Sequence, residues 1–572
     1  MIKDLINIFK LISFNFHSVS SLLVVVSLIT SFFEVISIIS IVPFLYIVQD
    51  PTNFENFKLF QFFFEHFNFF QATSILNFML FIIICVFSLS LLLNMTLKFL
   101  IIFISNRLYA HLSSRLFQEY LHKKIYFYIT NKSSDLIRNI IDETSRTMNG
   151  IYQSFINILT QSLICFFLVW ILVFSSNISR IYIVIFLIIF YFIIILFIRK
   201  YAQEKGLQQS NLISERYKIL NDSISFIKEI NIYGLKNFFF ENYKKNTFLS
   251  TNISSYMQFL NILPRAIIDF MGIVFIVSFI YISIHINNIN FENTITKLSL
   301  VIFAAYKLIP AAQNIYSSII KILNNSNALK NTIKFLDNSY TNRTSENEKF
   351  LVSQYIRFNK INFKYDNTFI LQNLDFQIKK HDKIFITGAS GSGKSTFLDL
   401  ITGFISPTSG QIVIDGKNIS YRNYEKFMKN FNLISQYNFY LNDSIKQNIT
   451  LSGQSAINYE KLNLILQSLY ISDFLKETKR NIDDSMNEKG LSFSGGQKQR
   501  ISIARALYND KEFLFFDEST SALDEDLEAQ IVEYLVSLKN KTIIFVSHNK
   551  SLSNFFDKSY LFKNGSLEPL IV

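Results

Sequence analysis

Six stretches of eighteen or more residues, each with at most two charged side chains, recur within the first 323 residues of the chain. They lie at 21–48, 76–106, 148–174, 181–198, 266–284 and 298–323. A helix rising 1.5 Å per residue needs about 20 apolar residues to cross a ~30 Å hydrocarbon layer. These stretches therefore predict six membrane-spanning helices, of which Ile181–Ile198 has no charge at all. The first is not a cleavable signal peptide, because it runs too long, lacks a small-residue cleavage site and continues through Glu34.

Composition agrees. Only 17% of the 572 residues are charged, below the roughly 25% of soluble proteins, and half are hydrophobic. Two cysteines exclude a disulfide scaffold. The net charge of +12 raises the question of nucleic acid, and its distribution answers it. Seven Lys/Arg lie between Arg107 and Gly150 and nine between Arg199 and Ser250, whereas the opposite connections hold few, such as Lys58 and Arg180. That is a positive-inside pattern, with 107–150 and 199–265 cytoplasmic and no compact basic patch for a nucleic-acid partner.

The domain organisation follows. Residues 1–323 form the membrane domain, including polar helical extensions and an external helix at 53–70, whose Phe57, Phe60, Phe64 and Phe67 share one face. Residues 324–350, rich in Asn and Ser, form a linker. From 351 to 572 short apolar runs alternate with polar turns, which predicts buried strands of an α/β domain. The fold class is a six-span α-helical membrane domain followed by an α/β domain, which the glycine loop Gly388-Ala-Ser-Gly-Ser-Gly-Lys394 makes a P-loop nucleotide-binding domain.

The chemistry starts at Gly388-Ala-Ser390-Gly391-Ser-Gly393-Lys394-Ser395-Thr396, between the strand KIFIT and the helical run TFLDLITGF. Strand, glycine loop and helix make a phosphate cradle, in which backbone N–H groups and a helix N-terminus face anionic oxygens. Lys394 would reach the β/γ-phosphates and the Ser395 hydroxyl would bind Mg²⁺. Further along come Ser494-Gly495-Gly496-Gln497, then Phe516-Asp517-Glu518, Ser521-Ala522-Leu523-Asp524 and Ser547-His548.

In this order the motifs resemble the nucleotide-binding domain of ATP-binding cassette (ABC) proteins over about 350–570. The resemblance implies ATP and Mg²⁺ as ligands and assigns roles by position. Tyr365 stacks on adenine; Gln436 touches Mg²⁺; Asp517 holds Mg²⁺; Glu518 is the general base; His548 contacts the γ-phosphate. Ser494, Gly495, Gly496 and Gln497 form the signature that closes over a nucleotide held by another subunit. Phe493, Ser435, Ser519 and Asn549 replace the family's usual Leu, Pro, Ala and Arg, and none of these changes removes a group needed for hydrolysis.

Membrane part first and cassette second resembles exporter-type ABC half-transporters. A homodimer with two composite sites is the simplest assembly, in a bacterial inner membrane with the cassette in the cytoplasm. The segments 131–141 and 222–233 sit where that family has coupling helices, and 487–490 resembles the loop that contacts them. The cargo rests on less. Lys98, Arg265 and Lys307 lie in or at the ends of spans, with Glu34 and Asp269 as possible counter-charges. Charges at membrane depth usually face a cavity or a partner. With LPRAIIDFMG, AAYKLIPAAQNIYSSI and the external helix, the membrane part is similar to bacterial lipid-linked oligosaccharide flippases. The expected cargo is a polyprenyl-diphosphate-linked oligosaccharide, whose anionic head would occupy the cationic cavity. A lipid A or phospholipid flippase, a peptide or toxin exporter, and a non-transport ABC ATPase or regulator are the alternatives.

Overall fold

The computed structural model describes residues 14–41, 44, 48, 72–123, 125–174, 179–285, 291–336, 352–365, 368–419, 427–436, 438–452, 456–486 and 493–570. The external helix expected at 53–70 and the segment 487–490 lie outside them. The chain forms two compact units that divide between Thr344 and Ser345.

Helices build the first unit. Among them are α1 (Phe14–Ile39), α2 (Ala72–Leu121), α3 (Ser133–Arg138), α4 (Gln153–Phe174), α5 (Ser179–Ser225), α6 (Ile227–Ile232), α7 (Lys236–His285), α8 (Phe291–Asn324) and α9 (Ser326–Phe335), with a further short helix at Ile125–Thr130. Two π-helical segments, Asn139–Glu143 and Arg146–Tyr152, connect α3 to α4. Four helical stretches among the described residues are long and apolar enough to cross a membrane: Ser21–Ile39, Leu76–Leu121, Ser133–Trp170 and Lys236–Val274. The spans expected at 181–198 and 298–323 fall within α5 and α8. Large apolar side chains such as Phe81, Phe99 and Phe197 stand exposed on the helices, as a lipid-facing surface requires. The first helix, Phe14–Ile39, starts ahead of the expected 21–48 and covers most of it, and Ile41, Phe44 and Val48 are helical as well. The 50 residues of α2 and of α7 would each extend about 75 Å, far beyond a bilayer core.

Pro264 lies inside α7 and has no N–H to bond the carbonyl one turn back. A neighbouring helix takes over that duty. The Tyr316 hydroxyl on α8 donates to Leu260 O at 3.0 Å, and Gln313 Nε2 donates to Asn261 O. Tyr191 of α5 in turn donates to Gln313 Oε1 at 3.1 Å.

Part of the stretch expected as linker is helix. In α9 the side chains of Ala328, Leu329 and Thr332 are buried, and Leu329 and Leu336 join an apolar cluster with Leu116, Tyr120 and Met148. The break between α8 and α9 is held by Arg146, which donates from Nε to Asn325 Oδ1 at 2.9 Å. Arg146 also lies 3.7 Å from buried Glu143, which accepts from Ser210 of α5 at 2.6 Å. Residues 337–350 lie outside the described ones.

The second unit contains two sheets. Strands β1 (Tyr355–Tyr365), β2 (Thr368–Lys379), β4 (Ser409–Ile414) and β5 (Lys417–Asn418) form an antiparallel sheet in the order β2-β1-β4-β5. The second sheet has the order β10-β9-β3-β8-β7-β6, from β3 (Lys383–Gly388), β6 (Phe431–Ile434), β7 (Phe513–Asp517), β8 (Thr542–Val546), β9 (Lys558–Lys563) and β10 (Ser566–Pro569). All its pairings are parallel except β9–β10. β3 and β8 are buried along their whole length, as near-continuous apolar strands of a covered parallel sheet should be. Helix α10 (Lys394–Ile401) packs Phe397, Leu398 and Ile401 into the cluster between the sheets. On the far side α11 (Ile445–Thr450), α12 (Tyr459–Ser468), α13 (Ile471–Glu477), α14 (Gly495–Tyr508) and α15 (Glu525–Ser537) enclose a second cluster with Phe385, Phe516 and Phe545.

Asp415-Gly416 joins β4 to β5 with φ of +47° and +83°, the positive values of a type I′ turn. The Asp415 carboxylate also accepts from the N–H groups of Ser353, Gln354 and Tyr355 at 2.6–2.8 Å. Burial alone would raise its pKa, but those three donors and Lys380 outweigh burial and hold it below the ordinary carboxylate value. A depressed folded pKa stabilises above the unfolded pKa of about 3.9, and that stability is lost as pH falls through the folded value. Asp415→Asn keeps the turn and removes the charge. It should lower the thermal midpoint of the full-length protein at pH 7 by the equivalent of about 1 kcal/mol. The gap from wild type should close as the pH is taken below about 4. Thermal scans from pH 8 down to about pH 2 read both effects.

Candidate functional site

The site forms where β3, β8 and β7 end side by side. Gly388 closes β3, and the loop that follows turns back into α10 through Gly393, at φ +108°. That backbone angle suits glycine, and a Cβ there would also meet Ile370 at 3.1 Å. Lys394 folds over the loop it terminates. Its ammonium, 5% exposed, donates to the carbonyls of Gly388 and Ala389, both at 2.9 Å, and lies 4.0 Å from Glu518 Oε1. Burial lowers the Lys394 pKa, against the pull of Glu518 and Asp517.

Asp517 is the last residue of β7, after four buried apolar ones. Burial raises its pKa, while a hydrogen bond from Ser395 acts in the opposite direction. Asp399, one turn further along α10, has its carboxyl pushed up to about 6, by burial first and then by Asp517. Glu518 leaves the strand at φ +48°, with its N–H donating to Val546 O at 3.0 Å. This continues the β7–β8 ladder by one bond and turns the side chain toward the phosphate loop. Three groups meet it there. His548 Nε2 lies 2.7 Å from Oε1, Gln436 Nε2 lies 3.4 Å from Oε2, and Lys394 is the third.

The structure thus brings Gly388, Lys394, Ser395, Gln436, Asp517, Glu518 and His548 together. Ser390, Gly391 and Thr396 belong to the same loop and helix start. Tyr365 ends β1, paired with Thr368. The signature residues lie apart, at the start of α14. Ser494 and Gln497 cap that helix reciprocally, Gln497 N to Ser494 Oγ at 3.3 Å and Ser494 N to Gln497 Oε1 at 3.0 Å. Gly495 and Gly496 face the 521–524 loop so closely that a Cβ on Gly496 would come within 2.9 Å of Ala522 O. Gln499, which the motif reading passed over, fixes this contact. It is buried, accepts from Ala522 N at 3.0 Å and donates to Ser521 Oγ at 3.4 Å. A buried polar residue on the apolar side of a helix is the signal that would have found it.

The residues fit a magnesium-bound nucleotide. Ser392 Oγ is buried within the loop with no hydrogen-bond partner, an atom suited to a phosphate oxygen. Ser395, Asp517 and Gln436 supply oxygen donors, the set that Mg²⁺ takes alongside phosphates.

The three membrane cations have different surroundings. Lys98 is exposed on α2. Arg265 lies 3.7 Å from Asp269, with both side chains more than half exposed. Lys307 lies 3.9 Å from Glu34, which is buried and also accepts from Asn94 Nδ2. The carboxylates expected as counter-charges are therefore paired with two of the three cations.

Comparison with known proteins agrees with this geometry. The family model for the ABC transporter cassette matches residues 371–521, and that for the ABC transporter transmembrane region matches 22–306. The lactococcin-G-processing and transport ATP-binding protein LagD of Lactococcus lactis subsp. lactis is 26% identical over 510 residues, covering 87% of this chain and 71% of that relative. An ATP-dependent lipid A-core flippase of Idiomarina loihiensis is 34% identical over 215 residues, so that match spans only 37% of either chain. A bacterial Atm1-family ABC exporter solved with ATP bound has the same fold, with a TM-score of 0.77 at 18% identity over 96% of this chain and 94% of that one. The chain belongs to the ABC transporter family, as an exporter-type half-transporter, a multi-pass membrane protein whose cassette hydrolyses ATP to drive transport.

Proposed function

We propose that two copies of the chain assemble into a transporter in a bacterial inner membrane. The signature of one cassette completes the nucleotide site of the other. The observation that carries the catalytic reading is the convergence of His548, Gln436 and Lys394 on Glu518. Glu518 takes the proton from the attacking water, and His548 holds its carboxylate in place. Lys394 and the loop N–H groups would bind the phosphates, Ser395, Asp517 and Gln436 would hold Mg²⁺, and Tyr365 would stack on adenine. When bound, Mg²⁺ offsets phosphate charge. Ser494 to Gln497 present a capped helix N-terminus to the partner's nucleotide.

The cargo we propose is a polyprenyl-diphosphate-linked oligosaccharide. Its support is the Lys307–Glu34 pair on α8 and α1, with Asn94 beside it. Ionisable groups at membrane depth are costly and mark sites of function. A diphosphate has the charge to replace Glu34 as the partner of Lys307, while the polyprenyl tail stays in lipid. Arg265 and Lys98 would serve the same head. The likeness to LagD, named for transport of a lactococcin, supports a second reading as a peptide exporter, and the lipid A-core flippase supports a third.

Replacing Glu518 with Gln should lower steady-state phosphate release by about 10²–10⁴-fold while ATP binding persists. A variant that still turns over at the wild-type rate removes Glu518 as the base. Mixing wild-type and Lys394→Ala subunits should depress ATPase activity more steeply than the mutant fraction, since each transporter needs two intact sites. A strictly proportional decline argues for independent sites. Proteoliposomes carrying labelled diphosphate glycolipid, lipid A, phospholipid or peptide distinguish the cargoes. Movement of the diphosphate lipid should be ATP-dependent and lost in the Lys307→Ala/Arg265→Ala double variant. Movement of peptide or lipid A alone overturns the cargo.

A further inference from the structure

Glu518 and His548 sit on loops leaving two neighbouring strands, and one buried carboxylate outside the site ties both loops. Glu528 lies in α15 with 6% of its surface exposed. Its Oε1 accepts from Thr520 Oγ1 at 2.6 Å, and its Oε2 accepts from Asn549 Nδ2 at 3.0 Å. Thr520 follows Glu518 by two residues, and Asn549 follows His548 directly. The groups 2.7 Å apart at the site are thus each anchored, within two residues, to the same side chain.

Both anchors are themselves fixed. Thr520 is buried, and its carbonyl accepts from Leu523 N at 3.0 Å within the loop that faces the signature glycines. Asn549 Oδ1 accepts from Ser551 N at 3.2 Å and from Ser551 Oγ at 2.7 Å, which orients its amide so that Nδ2 points to Glu528. Asn549 N donates to Ser547 Oγ at 3.1 Å, and Ser547 N donates to Ile386 O of β3 at 3.1 Å. His548, with its side chain half exposed, is held between these two residues. The Asn at 549, where the family usually has Arg, makes this a tie between a carboxylate and two neutral donors. It depends on distance and direction rather than on charge pairing.

We propose that Glu528 is a positioning residue for ATP hydrolysis, which sets the separation of Glu518 and His548 by holding Thr520 and Asn549. The proposal rests on the reading of Glu518 as the general base. A misplacement of about 1 Å at a reacting group costs up to about 100-fold in rate. The purified full-length protein is assayed for kcat and KM for ATP, alongside thermal stability. Glu528→Ala should lower kcat about 10- to 100-fold with KM changed less than about threefold.

Glu528→Gln should restore kcat to within about threefold of wild type. Its amide oxygen accepts from Asn549 and its amide nitrogen donates to the Thr520 hydroxyl, so the geometry survives without the charge. Asn549→Leu and Thr520→Val should each lower kcat partway at constant KM, and they carry the test if Glu528→Ala fails to fold. Wild-type kcat in Glu528→Ala, or in both single variants, overturns the proposal. So does a loss that glutamine fails to rescue and that follows thermal stability. A Glu518→Gln control separates the two readings. If that variant is inactive and Glu528→Ala is normal, only the positioning role falls. If Glu518→Gln turns over normally, the base assignment falls instead.

Discussion

Three parallel strands, β3, β8 and β7, pair so that Ile386, Val546 and Asp517 come level at their carboxyl ends. Everything the cassette does chemically hangs on that alignment. Each strand releases a different group: β3 the phosphate loop, β7 the two acids and β8 the histidine. Parallel pairing requires long crossovers, and these carry the helices that bury the strands from both sides. The apolar strand bodies make the ends rigid, so Asp517 and Glu518 take fixed and opposite roles. One stays in the ladder beside Ser395 and the other leaves it at a positive φ toward His548.

The membrane unit answers to a different constraint. Its apolar side chains gain little by leaving lipid for one another, so polar contacts and backbone satisfaction decide where helices meet. Hydroxyls of Ser27, Thr30, Ser31 and Ser37 along α1 bond to carbonyls of their own helix. Glu34 reaches α2 and α8, and Glu143 with Arg146 joins the π-helical segments to α5 and to the turn between α8 and α9.

The phosphate loop, the paired acids and the histidine were legible in sequence because each motif is contiguous and its flanking strand or helix is written beside it. The membrane helices were legible for a similar reason, since length and missing charge are local properties. Partnerships were not. That Lys307 meets Glu34, or that Gln499 holds Ala522, depends on elements 273 and 23 residues apart, and single-chain periodicity carries no sign of it. The helix α9 was hidden differently. Its apolar positions Ala328, Leu329, Ile333 and Leu336 recur at helical spacing, but Asn, Thr and Lys between them make the average polar. Periodicity was the stronger signal there and composition the weaker. The tie from Thr520 through Glu528 to Asn549 was half visible: Asn549 stood out as a departure, but the residue it meets did not.

The proline in α7 bears on how the transporter can move. A proline with a bare carbonyl behind it is a natural pivot, because the helix on either side bends without breaking a bond. Here the freed carbonyls are clasped by Tyr316 and Gln313 of α8, and Gln313 is gripped again by Tyr191. Bending α7 at that point would break those hydrogen bonds. The proline is therefore a weld rather than a hinge, and it ties α7 to α8 and, through Gln313, to α5.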